Sequence, residues 1–255
     1  MSTITLTPAA APSPSRSERP ATRTVAPRHQ MFRKIHKGLR HAMGDALLTV
    51  GRADTANTTS ITHAMTAVRG LLTLCRTHLH TENQFIHPAM EARLPGSSRS
   101  TADEHLDHER AFDTLTADVL AVERSDGGAR SAALAALYQR LALFVADNYT
   151  HMFEEETHNQ SVLWEHYTDQ ELQALEGAIV ASHTPEQLMT GLRWMIPALS
   201  PDEREQLLAG PRAGMPAPMF DQLLAFCVSL LQPAEGQRLR AAFCSGPRER
   251  DSWPH

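Results

Sequence analysis

The chain has 255 residues, enough for one large domain or two small ones with a sizeable core. Hydrophobic residues make up 42% and charged residues 21%, the balance of a globular protein, and a formal net charge of −5 argues against nucleic-acid binding. There is no apolar run of membrane-spanning length and no secretory apolar segment at the N-terminus, and the three cysteines form no C-x-x-C pair. A disulfide framework and a Cys-based zinc site are therefore excluded, and a cytoplasmic protein without membrane association is expected.

Residues 1–28 are rich in Pro, Ser, Thr and Ala and predict a disordered segment. Phe32, Ile35, Leu39, Met43, Leu47 and Val50 keep a three-to-four spacing that predicts a first helix ending at Gly51. A second helix is predicted over 60–92, with Leu71, Leu74 and Phe85 on its stripe, broken by the LPGSSRS stretch. A third is predicted over 101–125, carrying Phe112, Leu115, Val119 and Val122, and a fourth over 130–165 after a turn at 125–128. No segment alternates with period two for long enough to be a strand. The expectation is an all-α protein: an up-down-up-down four-helix bundle over 29–166, a C-terminal helical extension over 167–245 and a flexible tail at 246–255. Within the extension, Thr168 and Glu171 spell a capping box, a helix carrying Leu188, Leu192 and Met195 should stop at Pro197, and Pro201 should open another behind Ser200. GPRAGMPAP at 210–218 reads as a loop before an apolar helix over 219–231.

The fourteen histidines are the unusual count. His36 adjoins Ile35 and Leu39. His78 lies one turn after Leu74, Glu82 one turn further, and then comes Phe85. His108 precedes Phe112 by a turn, with His105 a turn before it; His151 continues the stripe of Phe144, and Glu155 lies a turn later. Each long helix thus turns a histidine inward, and two add a carboxylate. The spacing from 36 to 78 matches that from 108 to 151 within one residue, an approximate internal repeat of a helix pair. H-x-x-x-[DE] alone is weak: it also occurs at 41/45 and 87/91, on sides expected to be solvated, and at 105/109. His158, one turn beyond Glu155, is the expected outer partner of the site, and Met43, Met65 and Met152 are expected as core filler. An isolated ionised carboxylate inside a bundle costs several kcal/mol, so two of them among imidazoles call for a cation. Nitrogen and carboxylate oxygen suit iron, manganese or zinc, and two symmetric carboxylates can bridge two ions.

At these residues the sequence resembles the hemerythrin-like HHE cation-binding family, over about 30–165. The resemblance is carried by IHKGLR at 35–40, HLHTEN at 78–83 with Pro88 ten after His78, DHER at 107–110 and HMFEEE at 151–156; VLWEHYTDQEL at 162–172 is similar to the segment just after the domain in many bacterial members. It implies a non-haem di-iron centre held by His36, His78, Glu82, His108, His151 and Glu155, with both glutamates as bridges and manganese or zinc as the lesser alternatives. Respiratory members have two histidines four apart on the third helix. Here His105 and His108 are three apart, which leaves open whether one or both bind, and the internal repeat favours His108. Glu at i+4 from His151 also departs from the Asp at i+5 of the oxygen carriers, which weakens simple reversible oxygen carriage. A ferritin-like site would need two E-x-x-H motifs, and only Glu155–His158 offers one facing inward. The implied function is binding of dioxygen or nitric oxide for storage, sensing or oxidative-stress response. The competing class is a di-iron oxidoreductase that activates dioxygen or peroxide to oxidise a small molecule, with Ala42, Gly44 and Ala46 as small residues that would line its pocket. A metal-dependent interaction protein is the third reading. The expected partners are a small diatomic ligand and, through the C-terminal helices, a second copy or another protein.

Overall fold

The computed structural model describes residues 28–244, and among these every regular element is helical. The expectations for 1–27 and for 246–255 lie outside the described residues. Arg28, expected within the disordered segment, is tied down: its guanidinium bonds Asp169 at 3.0 Å and the Tyr167 carbonyl at 2.7 Å, and it also reaches the Trp164 carbonyl.

The first helix, α1 (Arg33–Gly51), buries the apolar stripe read from its spacing. Asn57 starts α2 (Thr58–Thr81) by accepting from the N–H groups of Thr59 and Ser60, two of the donors a helix start leaves unpaired. Glu82–Ile86 is a π turn leading into α3 (His87–Arg93). Next come α4 (Arg99–Arg124) and α5 (Gly127–Glu154), a second π turn at Glu155–Asn159, and α6 (Gln160–His166). The predicted second and fourth helices are therefore continuous rods, each interrupted once. α1, α2, α4 and α5 form a closed ring in which each touches two others, and links of a few residues oblige consecutive long helices to fold back on one another.

The C-terminal part continues as α7 (Asp169–Ser182), α8 (Pro185–Ala198), α9 (Pro201–Gly214), α10 (Ala217–Ser229) and α11 (Pro233–Cys244). The expected capping box at Thr168 and Glu171 forms, and Thr184/Gln187 and Ser200/Glu203 repeat it. α8 ends one residue past Pro197, close to the expected stop. One expectation fails here: Pro211 lies inside α9, so most of the predicted 210–218 loop is helix. Each proline removes one internal hydrogen bond near a helix end. A buried Arg204 meets carbonyls that the end of α8 leaves open, bonding Ile196 O at 2.7 Å and Pro197 O at 3.4 Å.

The ring encloses a hydrocarbon core that includes Leu39, Met43, Met65, Leu115, Leu141 and Met152; Ala42 and Ala46 are packed in it too, so these small residues of α1 serve the core. A smaller apolar cluster of Phe32, Ile86, Met90, Leu163 and Leu172 closes the far end. His36, Glu82 and Glu155 each fall in sequence between a member of the first cluster and a member of the second, a polar layer set between two apolar ones. α8 lies along α1 where Gly38 leaves room: a Cβ there would stand 2.9 Å from Met195 Cγ and 3.1 Å from Met195 N.

Glu203 pins α9 to α1, bonding Lys37 Nζ at 2.6 Å and Arg33 Nε at 3.0 Å and accepting from Ser200 N–H at 2.8 Å. Burial works against its charge, but Lys37 and Ser200 outweigh that and hold its carboxyl down at about 2. Because the folded value lies below the unfolded one, this contribution is complete above the ordinary carboxylate range and is lost as pH falls toward 2. Trp194 on α8 packs against the bundle core. Its fluorescence should therefore report loosening of α8 and α9 in that acid window, and Glu203→Gln should show part of the change already at neutral pH. Identical acid profiles for the two proteins would count against this clamp.

Candidate metal centre

Six side chains from four helices and the two π turns converge in the polar layer. His36 (α1), His78 (α2), Glu82 and Glu155 form one group; Glu82, His105 (α4), His151 (α5) and Glu155 form the other, with the donor atoms of each group all within 4.8 Å of one another. The carboxylates belong to both. Glu82 Oε1 is 3.1 Å from His78 Nε2 and 3.8 Å from His36 Nε2, while its Oε2 is 3.6 Å from His105 Nε2. Glu155 Oε2 is 3.3 Å from His36 Nε2, while its Oε1 is 3.4 Å from His151 Nε2 and 3.9 Å from His105 Nε2. Each glutamate thus offers one oxygen to each group, the disposition a pair of bridging carboxylates requires.

The rings are held from behind. His36 Nδ1 meets Glu156 Oε1 at 3.0 Å, and that carboxylate is also held by Arg40. His151 Nδ1 meets Glu104 Oε2 at 2.6 Å, and His105 Nδ1 meets Asn83 Oδ1 at 2.8 Å. A proton on each Nδ1 donates outward and leaves Nε2 facing the centre, as metal-ligating histidines are usually oriented.

Inside the layer, satisfaction fails. His36 Nε2, His78 Nε2 and both oxygens of Glu82 and of Glu155 are buried without a hydrogen-bond partner. An orphaned buried polar group costs about 1–3 kcal/mol, and more when charged, so six together make a poor core unless a cation supplies the partner. The donor set fits the metals inferred from the sequence: neutral nitrogen and carboxylate oxygen, no thiolate. Burial pushes the Cys75 thiol, the nearest sulfur nucleophile, up to about 12.

Without metal the charges distribute unevenly. Burial would lower His36, but the carboxylates of Glu155, Glu156 and Glu82 outweigh it and raise it to about 10; His151 rises to about 9 for the same kind of reason, through Glu155 and Glu104. Burial and then the charge on Glu155 push Glu82 up to about 8, whereas Glu155, against its burial, is held well below the carboxylate range by His151 and His36. Burial and the neighbouring His36 keep His78 well below its usual value, and burial with His151 lowers His105 to about 3. His151 therefore donates to the neutral His105 across the 3.0 Å that separates their Nε2 atoms.

Six of the seven expected residues are brought together, and His108 is not. It is in neither group; its ring stacks edge-on against His151 with centroids 4.7 Å apart and against Phe144 at 6.2 Å. The structure thus sets His105, rather than the His108 that the internal repeat favours, among the converging donors. A three-residue step moves a side chain about 4.5 Å along the axis, and the carboxylates lie level with the earlier turn. His87, expected to be solvated, is buried: it is stacked on His105 at 4.8 Å and faces Thr101 Oγ1 at 3.3 Å, which in turn accepts from Asn159 Nδ2 at 3.2 Å. His158, expected as an outer partner, is exposed. Both errors arise from the π turns. A π turn closes i→i+5 bonds, so residues beyond it are set back by about one position relative to a 3.6-residue count.

A family model described as the hemerythrin HHE cation-binding domain matches residues 28–161. Comparison with curated proteins and comparison with solved structures each gave no match.

Proposed function

The chain belongs to the hemerythrin HHE cation-binding family, and from that premise we propose that it holds a non-haem pair of iron ions and binds dioxygen, or another diatomic molecule such as nitric oxide, beside them. One observation carries the reading. A cavity of ≈ 10 Å³ lies against His78, Glu82, His105 and His151, walled by Leu39, Cys75, Phe112 and Met152. That is room for about one water-sized species, bounded by the donor side chains on one side and by Leu39, Phe112 and Met152 on the other, so only a small ligand has space beside the ions.

The iron pair, when bound, would supply electrons to the small ligand. The chain supplies everything else. His36 and His78 would hold one ion and His105 and His151 the other, with Glu82 and Glu155 spanning both. Glu156, Glu104 and Asn83 fix the ring orientations, and Phe112, Leu39 and Met152 exclude water. His108, lowered to about 4 by burial and then by His151, is a neutral ring at the edge of the cavity, able to donate one hydrogen bond to a ligand there. Sensing or storage would use the packing of α8 on α1 to pass on the state of the centre. The competing oxidoreductase reading is favoured by a second, larger cleft that also reaches His78 and Glu82.

The test is anaerobic reduction of the iron-loaded protein followed by oxygen. A spectral change that reverses under vacuum is expected. Irreversible oxidation with turnover of peroxide would transfer the assignment to the oxidoreductase class, and a chain that takes up no iron would overturn both.

A further inference from the structure

We propose that the cleft between the bundle and the C-terminal helices binds a small uncharged aromatic molecule of one ring or two fused rings, carrying at most one N–H or O–H, against the His78–Glu82 side of the metal centre. The inference rests on the proposed function in that the centre holds metal. The cleft measures ≈ 190 Å³, and an apolar cavity of about 150 Å³ is enough to take up benzene. Phe32, Ile35 and Leu74 form its wall on the bundle side; Ile179, Leu188 and Met195 form it on the side of α7 and α8, which lie beyond the residues matched by the family model.

Three observations define the occupant. First, the cleft reaches the centre. His78 and Glu82 both line it, and among the six converging side chains His78 is the one left partly open, 13% exposed against 6% or less for the other histidines. Second, the charges at the rim are paired. Lys34 Nζ lies 3.8 Å from Glu176, whose other oxygen is 3.2 Å from His29 Nε2, so no uncompensated charge calls for an ion. Third, the wall offers a hydrogen-bond acceptor. His183 Nδ1 donates to Ile179 O at 2.7 Å, which leaves its Nε2 as an acceptor 3.3 Å from Thr81 Oγ1. The Thr81 hydroxyl has one proton, and Thr77 O, 2.8 Å away, competes for it. A ligand with one donor would meet the acceptor left over.

Gly191 lines the cleft, and a Cβ added there meets only Met195 Cε, at an ordinary 3.6 Å. Gly191→Leu should therefore fill the space without breaking α8, and leucine is the better helix former. The probe is indole, titrated calorimetrically into the full chain loaded with zinc. Saturable binding is expected, weakened at least about tenfold in Gly191→Leu and in Leu188→Trp, a second filling variant, with metal content unchanged. In cobalt-loaded protein the bound indole proton resonances should broaden, and in zinc-loaded protein they should not. Absence of saturable binding, or equal affinity in the wild type and both variants, would overturn the cleft; binding without the cobalt effect would overturn its place beside the centre. A chain that takes up neither metal would refute the reading of the centre by that measurement alone, and the indole titration of the metal-free chain would still decide the cleft.

Discussion

Glu155→Gln should leave the purified protein almost free of bound metal. Its two oxygens face different histidine groups, Oε2 toward His36 and Oε1 toward His151, so one neutralised side chain removes a negative donor from both positions at once. Losing an outer partner of a metal ligand already costs 10–100-fold in affinity, and losing a shared anionic ligand should exceed about 100-fold. Thermal stability should fall with it, because a ligand present at about 100 times its dissociation constant stabilises the folded state by about 2.7 kcal/mol. His158→Ala is the control. His158 sits on the same π turn but is exposed, and its variant should keep full metal content. Elemental analysis beside a melting curve reads both effects. A Glu155→Gln protein retaining wild-type metal would remove Glu155 from the centre.

Phe112→Ala should be the most damaging apolar substitution near the site. The ring is 1% exposed, packs edge-on against Phe144 at 5.7 Å between centroids, and lies under the Arg76 guanidinium at 5.1 Å. Truncating a buried phenylalanine costs about 3–5 kcal/mol, which for a chain of this size lowers the melting midpoint by roughly 6–20 °C. The same ring walls the ≈ 10 Å³ cavity, so its removal should also admit water to the centre and speed irreversible oxidation of the reduced protein. A large loss of stability with unaltered oxygen reactivity would mean that the cavity is not the ligand's place.

Much of this arrangement is visible in the order of residues because burial on a helix repeats every 3.6 positions. The stripe through Phe32, Leu39, Met43 and Val50 marked the inner face of α1 and so placed His36 on it; the turns from Leu74 to His78 to Glu82 did the same for α2. The capping box at Thr168 was equally direct, since it depends on two residues three apart. The limit of that period is reached at the two carboxylates themselves. Both open a π turn, and along each the count slips, so His87 turns inward and His158 outward. The pairing of Asn83 with His105 and of Glu104 with His151 joins residues on different helices, set by how the rods meet in space. The choice between His105 and His108 is of the same kind, because both lie on one face of α4 and only the height of the glutamates separates them. One signal in the sequence does point to the outer partners: each of the two shared glutamates stands directly before a polar residue, Asn83 or Glu156, that bonds a histidine Nδ1 from another helix.

The most direct test of the central claim is a crystal structure of the protein purified without chelators, with diffraction recorded on both sides of the iron absorption edge. Two anomalous peaks are predicted, one among His36, His78, Glu82 and Glu155 and the other among His105, His151 and the opposite oxygens of the same glutamates, with His108 outside both. Crystals of iron-supplemented protein with no peak in this layer, or with a single ion coordinated by only one of the two histidine pairs, would contradict it.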